Sequence, residues 1–408
     1  MKCSNLHILL LIPFALAGIA LVLLLLLFKI TVAAGTINGL IFYANIVMVN
    51  RVIFFPPNQT NILTVFIAWL NLDLGIETCF CDGMDEYAKT WLKFVFPFYV
   101  WSLVGLVVIG SEYSSRIAKL FGSNPVAVLV TLFLLSYGKL LRTIITAMFF
   151  TYLDYPDKVQ IAVWLYDGNI QYFRGKHVIL FIVAFLILLF LFLPYTIVLT
   201  VGQWLQAKSN RRFFYWINKP RIKPLLDAYQ APYRDKHRYW TGLLLCLRCA
   251  LFLVFAFNTQ ADPSLNLLAI SSVAFGLILV TRYTGTVYKK LHVDILEASF
   301  ILNLGILAVA TYYVKLAVVP VSQSAVAYTS VGIAFTTFIG VLLYHTYQQV
   351  WPKLQQRYVN KKIKSHRTEY ISLEELENVE HKVKCLVPTV TVVEPPIPRP
   401  LNLTNNGS

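Results

Sequence analysis

Cations buried in apolar sequence are the first chemistry this chain offers: Lys139 and Arg142 lie three residues apart inside one apolar run, and Arg248 lies inside another. Three residues along a helix keep the first two on one face. On insertion scales such a pair costs about +5 to +7 kcal/mol, which the fourteen Leu, Ile, Val and Phe residues of 126–150 offset at about −0.3 to −0.6 kcal/mol each. A helix carrying them inserts only marginally, so the charged face must turn toward a bundle interior or a hydrated cavity. There it can pair, line a permeation path or hold lipid phosphate. Two cations are fewer than a voltage-sensing Arg repeat requires. The structural alternative is that Lys139 and Arg142 snorkel, or pair with Glu112, Asp294 or Glu297 near the inner ends of other runs.

Other polar groups point to the same interior. Asn38 and Asn45 stand two turns apart on one face of a second run, which also holds Asn50. Such amides hydrogen-bond between helices or line a wet path. Between runs, Cys81-Asp82-Gly83-Met84-Asp85-Glu86 gathers Asp82, Asp85 and Glu86 at a glycine turn. The cluster enriches cations, but it lacks the ligand spacing of an EF-hand, so no metal site is assigned. Cys246 and Cys249 form a C-x-x-C inside an apolar helix with no second pair, which reads as two buried, inert thiols. Cys3, Cys79 and Cys81 fall on one predicted side, where an oxidising compartment allows a disulfide. The sequence has no P-loop, nucleophile elbow, zinc-protease motif or dinucleotide fingerprint, so neither an enzyme nor a cofactor is expected.

The elements that must position these residues are membrane helices. With 57% hydrophobic residues, 13% charged residues and a mean hydropathy of +0.64, the 408 residues do not compose a soluble globule. Apolar runs at about 6–32, 37–55, 88–110, 126–150, 178–203, 241–257, 265–281, 295–318 and 325–347 predict an all-α, polytopic bundle of about nine spans. Positive residues fix its orientation, because they are retained in cytoplasmic loops. The inner basic loop 204–240 carries nine Lys and Arg, and so does the tail after Tyr347. The outer acidic loop 56–87 has no Lys or Arg, but holds Asp73, Glu77, Asp82, Asp85 and Glu86. The N-terminus is therefore expected outside and the C-terminus inside. Val32-Ala33-Ala34 resembles a signal cleavage site, but the run from Ile8 to Phe28 exceeds a signal core of about 7–15 residues. Cleavage there would also put the acidic loop in the cytoplasm. The short uncharged turn 32–36 leaves a broken helix or a re-entrant hairpin open for the first two segments.

The same topology assigns the loops. Asn58-Gln59-Thr60 is an acceptor sequon on the outer side, so Asn58 is expected to carry a glycan, whereas Asn402 and Asn406 lie in the cytoplasmic tail. In the inner loop, basic residues alternate with aromatics, and Arg211, Arg212, Lys219 and Arg221 are expected to meet anionic inner-leaflet lipid at about 1 kcal/mol each. Pro220, Pro224 and Pro232 limit that loop to a short surface-lying elbow. The net charge of +15 is mostly this positive-inside signal, not a nucleic-acid footprint. Residues 1–350 thus form the bundle and 351–408 the tail, which has a short acidic helix after Ser372 and a Pro-rich end containing P-x-x-P at Pro395 and Pro398.

The stretches GTINGLIFYANIV, FIAWLNLDLGIETCFCDGMDEYAKTW, LFLLSYGKLLRTII, AVWLYDGN and LDAYQAPYRDKHRYWTGLL resemble the C-terminal membrane region of large uncharacterised receptor-like proteins of early-branching animals. The likeness runs over about residues 3–350. Those relatives carry cysteine-rich or EGF-like repeats before the first span; here Met1-Lys2-Cys3-Ser4 precede it, which implies a shortened version or an incomplete sequence. Span number also resembles TRP-like and polycystin-like channels, with no filter residues to carry over. The expectation is a channel-like or transporter-like protein of the plasma membrane, with ions among its partners. The alternative is a membrane-anchored receptor or adhesion protein without transport.

Overall fold

A computed structural model describes residues 11–28, 31–55, 62–73, 84–116, 124–154, 160–208, 223–258, 263–316 and 322–340, with short pieces at 343–344, 347, 351 and 355–356. Asn58, Asp82, Arg211, Arg212, Lys219, Arg221, Cys3, Cys79, Cys81 and the tail from 357, with Asn402 and Asn406, lie outside the described residues. Residues Met1–Leu342 make one compact unit and Leu343–Ser408 a second.

The first unit is mostly helical. Its elements are α1 (Leu11–Phe28), α2 (Asn38–Val49), α3 (Arg51–Phe54), α4 (Ile62–Leu70), α5 (Glu86–Tyr113) and α6 (Asn124–Met148). A sheet follows, with strands β1 (Phe150–Asp154), β2 (Gln160–Trp164) and β3 (Asp167–Gln171). After it come α7 (Lys176–Ile187), α8 (Leu193–Lys208), α9 (Lys223–Gln230), α10 (Trp240–Phe257), α11 (Pro263–Thr284) and α12 (Leu291–Lys315). A last helix, α13, covers 323–340. A π-turn over Leu188–Phe192 joins α7 to α8 without a break.

Among the described residues, seven helices are long and apolar enough to cross a membrane: those over Ala15–Ala34, Glu86–Tyr113, Pro125–Met148, Lys176–Gly202, Asp235–Phe257, Ser264–Thr284 and Leu291–Lys315. Their outward faces are apolar, with Leu106, Phe190 and Leu279 all more than 60% exposed. Water would not tolerate such faces at this extent, whereas lipid chains do.

The second expected run differs. The twelve residues of α2 rise about 18 Å, short of the roughly 30 Å of a hydrocarbon core. Asn50 breaks it, because the side chain donates to the Ile46 carbonyl (3.1 Å) and the backbone leaves helical geometry before α3. Every residue from Asn38 to Met48 is buried. This helix is the axis of the bundle, with α12, α4, α10 and α6 packed around it.

Two departures from the sequence reading concern the loops. Residues 56–87 are not all an outer, solvated loop: α4 packs against α2, and Asn71 holds it there by donating to the Ala44 carbonyl (2.9 Å). The region after α6 is not helical. Its strands run antiparallel in the order β1-β2-β3, with Thr151 opposite Val163 and an irregularity at Val163/Trp164. Alternating β-branched and aromatic residues favour such pairing over a helix turn. The sheet also finishes α6. Trp164 Nε1 donates to the Thr146 carbonyl (2.9 Å), Tyr172 Oη donates to that of Met148 (2.7 Å), and His177 Nε2 lies 3.0 Å from that of Ala147. These are carbonyls a helix end leaves without an intrahelical donor.

Candidate functional site

Lys139 and Arg142 do share an inward face, as their spacing predicts, but their fates differ. Lys139 is 8% exposed; its Nζ donates to the Leu72 carbonyl (2.8 Å) and lies 3.1 Å from Asp73 Oδ1. The ammonium also stands 5.9 Å from the Phe96 ring centroid. Its counter-charge is therefore Asp73, not Glu112, Asp294 or Glu297. The turn after α4 carries that acid inward.

Arg142, one turn further toward the sheet, is half-buried and makes no hydrogen bond or ion pair among the described residues. Two adjoining cavities meet at it. One, of about 90 Å³, is walled by Asn71, Asp73, Thr90, Lys93 and Lys139; the other, of about 440 Å³, by Ile145, Phe149, Leu165, Phe252 and Phe255. Arg142, Val49, Thr146 and Tyr166 line both. Pro97 in α5 cannot donate to the Lys93 carbonyl.

Arg248 is 2% exposed in α10, with its guanidinium carbon 5.4 Å from the Phe42 ring centroid. Its Nε and Nη1 have no hydrogen-bond partner among the described residues. A cation over an aromatic face in a dry interior recovers part of its lost hydration. Asn45 is fully buried, and neither its Oδ1 nor its Nδ2 is bonded. It lies over Gly138, where any Cβ would collide with Oδ1, so α2 and α6 approach closely only because residue 138 is glycine. Asn38 behaves as packing glue: its Nδ2 donates to Tyr233 Oη (2.8 Å).

A second polar cluster, which the sequence did not disclose, surrounds Glu297. Its Oε1 accepts from Trp240 Nε1 (2.6 Å) and its Oε2 from the Tyr288 hydroxyl. Tyr233 Oη accepts from both Asn38 and Thr241. Backbone bonds between Arg234 and Val287 and between Lys289 and Pro232 tie the two flanking loops together. Gly39 admits α12 here, since a Cβ would stand 2.9 Å from Glu297 Cα.

The remaining expectations resolve locally. Asp85 accepts from the Ala88 amide (2.8 Å) and so caps α5, while Glu86 pairs with Lys89 at 2.7 Å. Among the described residues no group of acids, His and Cys is placed to hold a metal. Cys246 and Cys249 are free, but Cys246 is exposed and not buried, because the helix turns it to the outer face. Within 204–240, α9 buries Leu226 and Tyr229 against α6 and leaves Lys223, Pro224 and Asp227 exposed.

The geometry defines the class as a helical bundle with apolar spanning-length helices and a charged interior. No family model matches the chain, and neither a curated protein nor a solved structure is similar to it.

Proposed function

We propose that this is a multi-pass membrane protein with a channel-like or transporter-like role. The observation that carries the reading is Arg142, a guanidinium held in a spanning-length helix, without a hydrogen bond or ion pair among the described residues and lining two adjoining cavities. A charge kept at this insertion cost without a protein partner is matched to something that enters. The reading counts nine crossings, with α2 and α3 together as the second and α13 as part of the ninth. It sets the N-terminus outside and the C-terminus in the cytoplasm of the plasma membrane, by the loop charges. The cavities then open outward, and Arg211, Arg212, Lys219 and Arg221 meet anionic lipid on the inner leaflet.

Purified protein in liposomes should carry current or tracer flux above protein-free vesicles, and Arg142→Gln should reduce it severalfold. Absence of any flux across a panel of small cations, anions and organic acids would leave the membrane-anchored receptor in its place. Orientation has its own check. A glycan at Asn58, with none at Asn402 or Asn406, is expected; sugar on the tail would invert the topology.

A further inference from the structure

We infer that the joined cavities at Arg142 bind an amphiphilic organic anion, a carboxylate with an apolar body, head at Arg142 and body against Phe149, Phe252 and Phe255. The inference rests on the reading of these cavities as the place a solute enters, and names what enters.

Charge sets the head. Asp73 feels Lys139, Arg142 and Lys93 together, so one carboxylate stands against three cations. Lys139 is spent on Asp73 and Leu72, which leaves Lys93 and Arg142 at the wall of the smaller cavity with two uncompensated positive charges. A carboxylate answers a guanidinium in two parallel hydrogen bonds, and the flexible ammonium of Lys93 suits the remaining oxygen lone pairs. A bare cation would meet repulsion here.

Shape sets the body. The smaller cavity, about 90 Å³, holds a head group and little more, while the larger, about 440 Å³, falls in the size range of small-molecule pockets. The larger wall is mainly aromatic and aliphatic, with Asn50, Asn258, Asn266 and Lys315 also lining it. An inorganic anion or acetate fills the head position but leaves that wall against water, and so forgoes the apolar burial that each additional methylene contributes. The shared lining residues at the junction, Val49, Arg142, Thr146 and Tyr166, require a molecule that passes from polar to apolar surroundings within a few bonds.

Such a carboxylate comes either from lipid, as a long acyl chain, or from the aqueous phase, as a medium-chain or aromatic acid. Tritiated octanoate binding to the full detergent-purified chain tests the idea, with acetate, octanol, 3-phenylpropionate and palmitate as competitors. Octanoate should bind saturably; octanol and acetate should compete at least about tenfold less well, since one lacks the charge-assisted bonds and the other the body. Stronger competition by palmitate identifies an acyl lipid as the source, and stronger competition by 3-phenylpropionate identifies an aqueous acid. Arg142→Gln should weaken octanoate at least about tenfold, and Ala256→Trp, which fills the larger cavity, should abolish octanoate binding while leaving the weak direct binding of tritiated acetate at the head unchanged. Because Arg142 makes no hydrogen bond or ion pair among the described residues, loss of binding in the Gln variant is read beside an unchanged melting temperature. Equal binding of octanol and octanoate, or unchanged octanoate affinity in Arg142→Gln, overturns the inference. Octanoate binding without flux in liposomes sinks the transport role and leaves the site standing, whereas flux of other ions with no octanoate binding does the reverse.

Discussion

Two of the polar clusters inside the bundle are built on opposite principles. Around Glu297 the donors Trp240, Tyr288, Asn38 and Thr241 all find acceptors inside the protein, and Asn38 Oδ1 is the atom of this network left without a partner among the described residues. Around Arg142 the guanidinium and Lys93 face cavities, and only Lys139 is spent on a neighbour. A closed network fixes helix positions; an open one keeps its hydrogen-bonding capacity for a visitor. Burial differs as well, since Glu297 is 4% exposed whereas Arg142 is half-buried. What separates them is whether the partners lie in the chain.

The difference predicts unequal costs of mutation. Glu297→Leu should be the most damaging change, because it orphans the Trp240 indole N–H and the Tyr288 hydroxyl together. Each buried orphan costs about 1–3 kcal/mol, so a loss of about 4 kcal/mol is expected in thermal or denaturant unfolding of the detergent-solubilised protein. A loss below about 1 kcal/mol would show that the closed network fixes nothing.

Lys139→Leu comes next and probes the boundary between the clusters. It leaves Asp73 without its ammonium; breaking a fully buried pair costs about 3–5 kcal/mol, and the 18% exposure of the Asp73 side chain lowers the expectation to about 2 kcal/mol. Adding Asp73→Leu should restore most of it, since two apolar groups replace the pair. If the double variant is no more stable than the single one, the pair is not what holds the turn after α4, and the Leu72 carbonyl contact is.

These contrasts also mark what the sequence discloses. The long apolar runs follow from bilayer thickness, and the inward turn of Lys139 and Arg142 follows from the cost of exposing them to lipid; both are local properties. Asp73 was hidden because it stands 66 residues from Lys139, in a stretch without Lys or Arg whose composition reads as outer loop. At nine residues, α4 is too short to register as a span, so nothing signalled that its end turns inward. Asn45 over Gly138 is a contact between two helices that each look ordinary alone. The sheet after α6 was missed for a different reason: its strands are five residues each, and their purpose, capping the carbonyls of Thr146, Ala147 and Met148, exists only in three dimensions. The Glu297 network likewise joins α2, α10, α12 and two loops, and no spacing along the chain announces it.

The smallest stability effect is expected at the residue with the largest expected functional one. Arg142→Gln removes a charge that makes no hydrogen bond or ion pair among the described residues, so the folded state trades the attraction of Arg142 to Asp73 for relief of its repulsion with Lys139. Its stability should stay within about 0.5 kcal/mol of the parent, as for substitutions away from any bonded network. Membrane insertion should improve, because roughly half of the pair's insertion cost goes with one cation. Unfolding and in-cell insertion measured on one variant, beside flux, place Arg142 on one side of the comparison. A destabilisation above about 2 kcal/mol would class it with Glu297 as a member of a closed network, and unchanged stability with lost flux would keep it as the open one.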